Sequence, residues 1–324
     1  MNQTGFSTMA YTGMPLFRYS KEREDKNWID QQIRQPSALF LPVWNHHSLV
    51  RFSSPLQPRA EFLSLTKHSA LFDASVNPVY LGHLEDKPVF TAGILSDSAE
   101  QAIQESGLAD TGAEFIDLRK IGPLLDRTEG AMLAYARGLQ YWHQQNGFCS
   151  RCGSANTALR GGHMRLCNNT DCRREAYPHI NPAVIMLVLW QDPADGIEKC
   201  LLGRHSGLPK GVYSTLAGYV DPGETLEEAV AREVMEEAGI PVQSATYLAS
   251  QPWPFPSSMM FGFYAHAEHG DINLGDDELE DAQWFKREQL LDFGEYDDPE
   301  ATIALPRKDS IARNLIQNWI SGNV

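Results

Sequence analysis

The chain has little that would carry it out of a watery, reducing compartment. Its longest apolar stretch, Ala183 to Trp190, is far too short to span a bilayer and reads as a buried strand. No basic segment followed by an apolar core stands near the N-terminus, so no secretory signal is expected. The first twenty residues are rich in Ser and Thr and poor in acid, as a transit peptide would be. They hold a single arginine, Arg18, and a cytoplasmic location is the expectation. Positive charge is scarce too: 27 Lys and Arg against 42 Asp and Glu leave a net charge of −15. Such a surface repels polyanions, which argues against extensive binding to long DNA or RNA. A phosphate-bearing ligand would need local positive charge from basic side chains or bound metal ions. There is no internal repeat, no low-complexity tract and no coiled-coil heptad. Cysteine is rare, yet four of the five fall in one window as Cys149, Cys152, Cys167 and Cys172. That clustering favours a metal site over a disulfide framework. Cys200 stands alone in an apolar run and reads as a small core residue.

At 42% hydrophobic, 324 residues can bury a substantial core, and the pattern divides into three segments. Residues 1–145 read as an N-terminal α/β domain. Its strands are expected over Ala38–Trp44, Val79–Gly82 and Pro88–Leu95, and a helix over Ala131–His143 stops near Asn146-Gly147. Nothing there converges on chemistry. Residues 146–181 hold the cysteines. Residues 182–324 begin with strands at Ala183–Trp190 and Lys199–Gly203. Strand, Gly-rich loop and helix follow over Ser214–Ile240, then a Pro-aromatic loop at Gln251–Pro256. Strands near Met260–Ala267 and Ala282–Phe285 lead to a closing helix at Ser310–Ile320.

Cys149-x-x-Cys152 and Cys167-x4-Cys172 form two knuckles, and four thiolates brought together by tight turns suit tetrahedral Zn²⁺. Four sulfur ligands leave no open position, so such a zinc is structural. A thioredoxin-like redox pair at Cys149/Cys152 is the competing reading. His163 is a spare ligand candidate, read more simply as a surface histidine.

The string from Gly218 to Ile240, GYVDPGETLEEAVAREVMEEAGI, carries the chemistry. Glu224-Thr225 opens a helix with Leu226, Ala229, Val230 and Val234 as its apolar stripe, and Gly239 ends it. Glu233, Glu236 and Glu237 stand at i, i+3 and i+4, so their carboxylates share one face. They repel one another, and Arg232 brings a single positive charge against three. Mg²⁺ or Mn²⁺, which take oxygen ligands, would relieve the repulsion and attract a diphosphate. A solvated acidic face is the bland reading, but the Gly-rich entry loop and the Arg-Glu pair argue against it. Downstream, Ser250-Gln251-Pro252-Trp253-Pro254-Phe255-Pro256-Ser257-Ser258 alternates proline with aromatics. The prolines hold Trp253 and Phe255 with little entropy left to lose. Such a loop can wall a pocket for flat rings, with Gln251 supplying donors and acceptors. It can equally be a rigid connector with its aromatics on the core.

The first string resembles the Nudix box, Gly-x5-Glu-x7-Arg-Glu-U-x-Glu-Glu-x-Gly-U, at every defined position, with Val234 and Ile240 as the bulky apolar U. The second resembles the SQPWPFPxS signature of the NADH pyrophosphatase branch of that family. The likeness takes in the cysteine knuckles, Tyr177-Pro178 and Ser310-Ile311-Ala312-Arg313. It covers 147–324 well and the first half loosely. The wider second knuckle and the insertion-rich N-terminal half depart from the pattern. The resemblance implies an α+β chain, with a Nudix α/β/α sandwich over 182–324 preceded by a zinc ribbon and an N-terminal α/β domain. It makes Glu233 and Glu237 ligands of Mg²⁺ or Mn²⁺, joined by the backbone carbonyl of Ala217 and by Glu278. Glu236 becomes a ligand or a near neighbour of the ions, Arg232 orients the carboxylates, and Glu237 doubles as water activator. Tyr177, Tyr219, Gln251, Pro252, Trp253, Pro254, Phe255, Pro256, Ser257, Ser258 and Ala312 match substrate-contacting positions.

The implied reaction splits the diphosphate of NADH or NAD⁺, a small-molecule dinucleotide, into NMN(H) and AMP. Similar proteins also remove NAD caps from RNA 5′ ends, and the acidic charge leaves room for a cap-only contact. The box is shared by hydrolases of ADP-ribose and dinucleoside polyphosphates, which is a second enzymatic reading. A non-catalytic nucleotide sensor is a third, and the intact carboxylate set counts against it. The resemblance also implies a homodimer. NADH, NAD⁺ and capped RNA stay unranked.

Overall fold

A computed structural model describes residues 9–54, 56–275 and 279–323. The chain folds as two units. One comprises Tyr11–Ile180 with Trp253–Ser257; the other comprises Asn181–Pro252, residues 258–323 and the stretch 9–10.

In the unit of Tyr11–Ile180, the sheet strands are β1 (Leu39–Trp44), β2 (His47–Ser54), β3 (Gln57–Ala60), β4 (Leu63–Ser64), β5 (Val76–Leu84), β6 (Lys87–Gly93) and β7 (Ala113–Asp117). The main path is β3-β2-β1-β6-β5, with β4 paired to β1 and β7 to β2. The expected runs became β1, β5 and β6, while β2, β3, β4 and β7 went unanticipated. Helices α1 (Lys26–Ile33), α2 (Ser69–Ala74), α3 (Ala99–Glu105) and α4 (Leu118–Ile121) are short; α5 (Arg127–Gln145) is the long one. It starts one turn before the expected Ala131, because the Asp126 carboxylate accepts from the amides of Thr128 and Glu129. A three-stranded antiparallel ribbon follows: β8 (Asn156–Leu159), β9 (Met164–Cys167) and β10 (Glu175–Ala176).

Buried polar groups fasten this ribbon to α5. His143 donates from Nε2 to the Gly162 carbonyl at 2.7 Å and accepts at Nδ1 from Arg165 Nε at 2.9 Å. Arg165 also reaches Asn77 Oδ1. His163 is not the surface residue expected: it is 8% exposed and donates from Nε2 to the Tyr80 carbonyl at 2.7 Å. That bond fills an interior donor's need, which neither a surface position nor a metal would.

Burial, reinforced at His143 by the charge of Arg165, pushes both imidazoles down to about 4. The unfolded chain therefore binds these protons before the folded one does. Their contribution is complete above the ordinary histidine value of 6.5 and is lost as pH falls toward 4. At pH 5.5 each is expected to cost about 1.4 kcal/mol relative to neutral pH. Denaturant titration of the zinc-saturated protein from pH 7 to 5 checks this. His143→Gln should remove about half of that histidine-linked slope, and an unchanged slope sinks the account.

The remaining unit carries β11 (Asn181–Gln191), β12 (Glu198–His205), β13 (Leu216–Tyr219), α6 (Leu226–Ala238), β14 (Val242–Trp253), β15 (Ser258–Ala267), β16 (Leu279–Lys286), α7 (Arg287–Leu290) and α8 (Ile311–Ile320). The sheet order is β14-β15-β11-β12-β16, with β13 also paired to β11. Both faces of β11 are covered, which explains its unbroken apolar run. Val184, Met186 and Val188 pack with Ala229, Val230, Val234 and Ala238 of α6. Ile185, Leu187 and Leu189 pack with Ile311, Leu315, Ile316 and Trp319 of α8. Each such buried aliphatic contributes roughly 1.5–3 kcal/mol, so the two helices are clamped on opposite sides of one sheet. This is the α/β/α sandwich expected over 182–324. Thr225 caps α6 through a capping box with Glu228, and Gly239 ends it at φ 67°. The edge strand β14 was not anticipated.

Candidate functional site

Strand register gathers the candidate residues at one end of the six-stranded sheet. Tyr219 lies opposite Ala183 and Ser258 opposite Asn181, both at the start of β11. Antiparallel to β11, β12 reaches the same end at His205, which faces Leu279 at the start of β16. Loops leaving this end are thus brought together from distant parts of the sequence.

Arg232 organises the acids of α6. Its Nε and one terminal nitrogen form a fork on Glu224, at 2.8 and 2.9 Å. The other terminal nitrogen donates to Glu233 at 2.8 Å and Glu236 at 2.9 Å. A further bond at 2.8 Å to the Tyr219 carbonyl ties α6 to β13. This arrangement pushes the guanidinium still higher and holds Glu224 below the usual carboxylate range, with the Arg232 hydrogen bond the main cause for Glu224. Arg232 thus pairs with both Glu233 and Glu236, whose spacing alone showed only mutual repulsion. Glu224, read in the sequence only as the start of the helix, is Arg232's bidentate partner. Its defined place in the box eight residues before Arg232 was the signal for that role.

Glu233 lies directly on the backbone of Gly218. A methyl group built on that glycine would fall 1.8 Å from Glu233 Cδ. Only glycine leaves space for the carboxylate here. Glu237, one turn on, is 4% exposed on the helix face that carries Val230 and Val234. Four carboxylates thus stand against the single guanidinium of Arg232. This excess of hard oxygen donors fits a divalent cation, with Glu233 and Glu237 best placed to hold it. Ala217, opposite Ile185 in β13, comes immediately before the Gly218 cradle. Glu236 is half exposed. Glu278 lies outside the described residues.

The four cysteines fit zinc closely. Their sulfurs all lie within 4.8 Å of one another, and among the described residues they form the cluster whose ligand atoms converge in this way. Cys149 and Cys172 are 3.8 Å apart, and Cys152 and Cys167 3.4 Å. A tetrahedron of Zn–S bonds near 2.3 Å has edges of about 3.8 Å. Hydrogen bonds from Ser154 lower the Cys152 thiol, while burial raises that of Cys167. Gly153, at φ 72°, turns the first knuckle. In the longer second knuckle Asn169 takes up the extra residues, accepting from the amides of Asp171 and Cys172. The site is closed, so the zinc is structural. Cys200 is fully buried in β12.

The Pro-aromatic segment is divided between two tasks. Gln251 is fully buried; its amide donates to the carbonyls of Asp309 and Ala10, and its oxygen accepts from the Ile311 amide. One donor hydrogen and the oxygen seat the start of α8, and the other donor hydrogen holds the stretch 9–10. Ser258 and Ala312 are also buried, the latter in the α8 core. Pro252 and Ser257 are partly exposed and Pro256 exposed. Phe255 is 7% exposed, edge-on to Tyr11 and Trp253, with Arg119 and Arg137 at 4.8 and 5.0 Å from its ring centre. Arg137 donates to the Pro254 carbonyl and Arg119 to that of Phe255. Neither arginine was visible as a partner in the sequence. Of the candidate aromatics, Tyr219 and Tyr177 are exposed, at 58% and 47%.

Family models match three stretches: the NUDIX domain over residues 180–305, the NADH pyrophosphatase-like rudimentary NUDIX domain over 37–142, and the NADH pyrophosphatase zinc ribbon domain over 144–177. The chain is 33% identical over 340 residues to the human NAD-capped RNA hydrolase NUDT12, spanning 95% of this chain and 72% of that protein. It is 37% identical over 223 residues to the NAD-capped RNA hydrolase NudC of Mycobacterium bovis, spanning 67% of this chain and 69% of that one. With the NAD-capped RNA hydrolase of Schizosaccharomyces pombe it shares 39% identity over 244 residues, covering 68% and 64%.

Proposed function

The chain belongs to the Nudix hydrolases, in the NADH pyrophosphatase branch that carries a zinc ribbon, and on that footing we propose that it cleaves the diphosphate of NADH or NAD⁺ to NMN(H) and AMP. The NAD-capped 5′ end of RNA is a substrate of the same site. The observation that carries this reading is the Arg232 fork on Glu224, Glu233 and Glu236, with Glu233 resting on Gly218.

Water adds to one phosphorus, the bridging P–O bond breaks, and the departing phosphate takes the electron pair. Held by Glu233 and Glu237, Mg²⁺ or Mn²⁺ would supply positive charge to offset the oxygens' growing negative charge. Arg232 holds Glu233 and Glu236 in fixed rotamers, so little reorganisation remains. Glu237, out of bulk water, is placed to hold an ion and to take the water's proton; Glu278 is assigned as a further ligand. Tyr219 and Tyr177 offer faces to flat rings, while Gln251, Phe255, Ser258 and Ala312 act by fixing the loop. We assign residues 1–145, 146–181 and 182–324 as three domains. Homodimerisation is carried over from the family. No helix among the described residues is long and apolar enough to cross a membrane, and we place the protein in the cytoplasm.

Purified protein with Mg²⁺ or Mn²⁺ should release AMP from NADH. A side-by-side panel of NADH, NAD⁺, ADP-ribose and NAD-capped RNA ranks the substrates by kcat/KM. Wild-type protein that binds NADH yet yields no AMP with any divalent ion would be a sensor instead.

A further inference from the structure

A pocket of about 350 Å³ opens beside the loop that leaves β12, lined by Arg204, His205, Ser206, Leu208, Lys210 and Glu280 among others. It belongs to the same end of the sheet as the carboxylates. Arg204 faces Asp281 and His205 faces Leu279, while Gly203 bridges to Ser214, two residues before β13 leads to Gly218. Its chemistry, however, is opposite to that of α6. Lys210 is exposed and makes no ion pair among the described residues. Arg204 is tied to Glu280, whose side chain is 46% exposed. An exposed pair of this kind is worth little and can be exchanged for a stronger anion. A substituent on Gly207 would meet nothing within 4 Å, so the loop leaves room.

The diphosphate itself has no need of this pocket, because the carboxylates and their cation answer its charge. A chain of net charge −15 that keeps a lysine and an arginine around one cavity at the same end of the sheet has local positive charge for another anion. The volume is at the small end of ligand pockets, enough for a phosphate and part of its sugar.

We propose that this pocket receives a second phosphate, one attached to a ribose of the dinucleotide outside its diphosphate, with Lys210 as its principal contact and Arg204 as support. The inference rests on the pyrophosphatase reading and adds to it a residue that tells phosphorylated dinucleotides from plain ones. Two substrates carry that chemistry: a capped RNA, whose first phosphodiester leaves the adenosine ribose, and a dinucleotide with a ribose 2′-phosphate.

Lys210→Ala, Lys210→Glu and Lys210→Arg should be compared with wild type on NADH, NADPH and a short NAD-capped RNA, at low and moderate salt. For NADH, kcat/KM should stay within about twofold in all three variants, since no phosphate reaches the pocket. For a substrate that uses it, Lys210→Ala should raise KM about tenfold, equivalent to about 1.4 kcal/mol, and Lys210→Glu further. Lys210→Arg should retain most of the affinity, and the salt dependence should weaken in the alanine variant. A shift confined to NADPH or to capped RNA names the source. Equal losses on NADH, or no shift on either phosphorylated substrate, overturns the proposal. A wild type inactive on every dinucleotide refutes the pyrophosphatase reading itself, a result distinct from a failure at Lys210.

Discussion

Replacing Glu237 with Gln should lower kcat for NADH by about 10²–10⁴-fold and leave the fold in place. The change is isosteric, and the side chain is 4% exposed against α6 and the sheet, so packing volume is conserved. What goes is a charge. A carboxamide is a poor ligand for a hard cation and cannot take a proton from water near neutral pH. Because the loss falls on the reacting groups, KM for NADH should move much less than kcat. Glu236→Gln is the control: its side chain is 48% exposed and holds one branch of the Arg232 fork, so its effect should be clearly smaller. Steady-state AMP release with thermal melts of all three proteins decides the matter. Glu237→Gln within a few-fold of wild type, at a matched melting temperature, would remove Glu237 from the chemistry.

How far the sequence could be read depended on whether a residue's partners lay within one turn. The α6 acids, their apolar stripe and the Gly239 stop are local, so spacing placed them. The two-sided burial of β11 showed in its unbroken apolar run. The strand β14 was missed because its residues, VQSATYLASQPW, are mostly partly or wholly exposed and show no alternation. In the first unit β7 is held by its pairing to the distant β2, whereas β2 follows a short hairpin whose turn, Asn45-His46, carries no glycine or proline to announce it. Arg137 is 117 residues from Pro254, and Gln251 is 58 from Asp309. Contacts at such separations leave no mark that composition or period can detect. His163 failed for the same reason, since its acceptor, the Tyr80 carbonyl, lies 83 residues away. The roles that needed charge bookkeeping were half legible: the excess of acid on α6 was plain, but the fork that shares Arg232 with Glu224 was not.

Gly218→Ala should abolish most activity while sparing stability, and this pairing of outcomes separates a cradle from a hinge. Its Cβ would stand 1.8 Å from Glu233 Cδ, 1.9 Å from Oε1 and 2.2 Å from Oε2. No backbone atom is among those clashes, so the far end of a flexible side chain can swing away at small cost. The backbone of Gly218 is not in the left-handed region, and alanine there limits the unfolded chain, worth about 0.4–1 kcal/mol in favour of folding. The displaced Glu233 carboxylate, however, leaves both the Arg232 fork and the ion it would hold. A misplacement of this order costs about 10²-fold in rate, and kcat should fall by at least that. Gly239→Ala fails in the reverse sense. There φ is 67° and the new Cβ would meet the Asn273 carbonyl at 2.8 Å, so melting temperature drops while the molecules that remain folded keep their turnover. Should Gly218→Ala retain wild-type kcat at an unchanged melting temperature, Glu233 does not rest on Gly218, and the carboxylate arrangement on which the hydrolytic reading depends would be wrong.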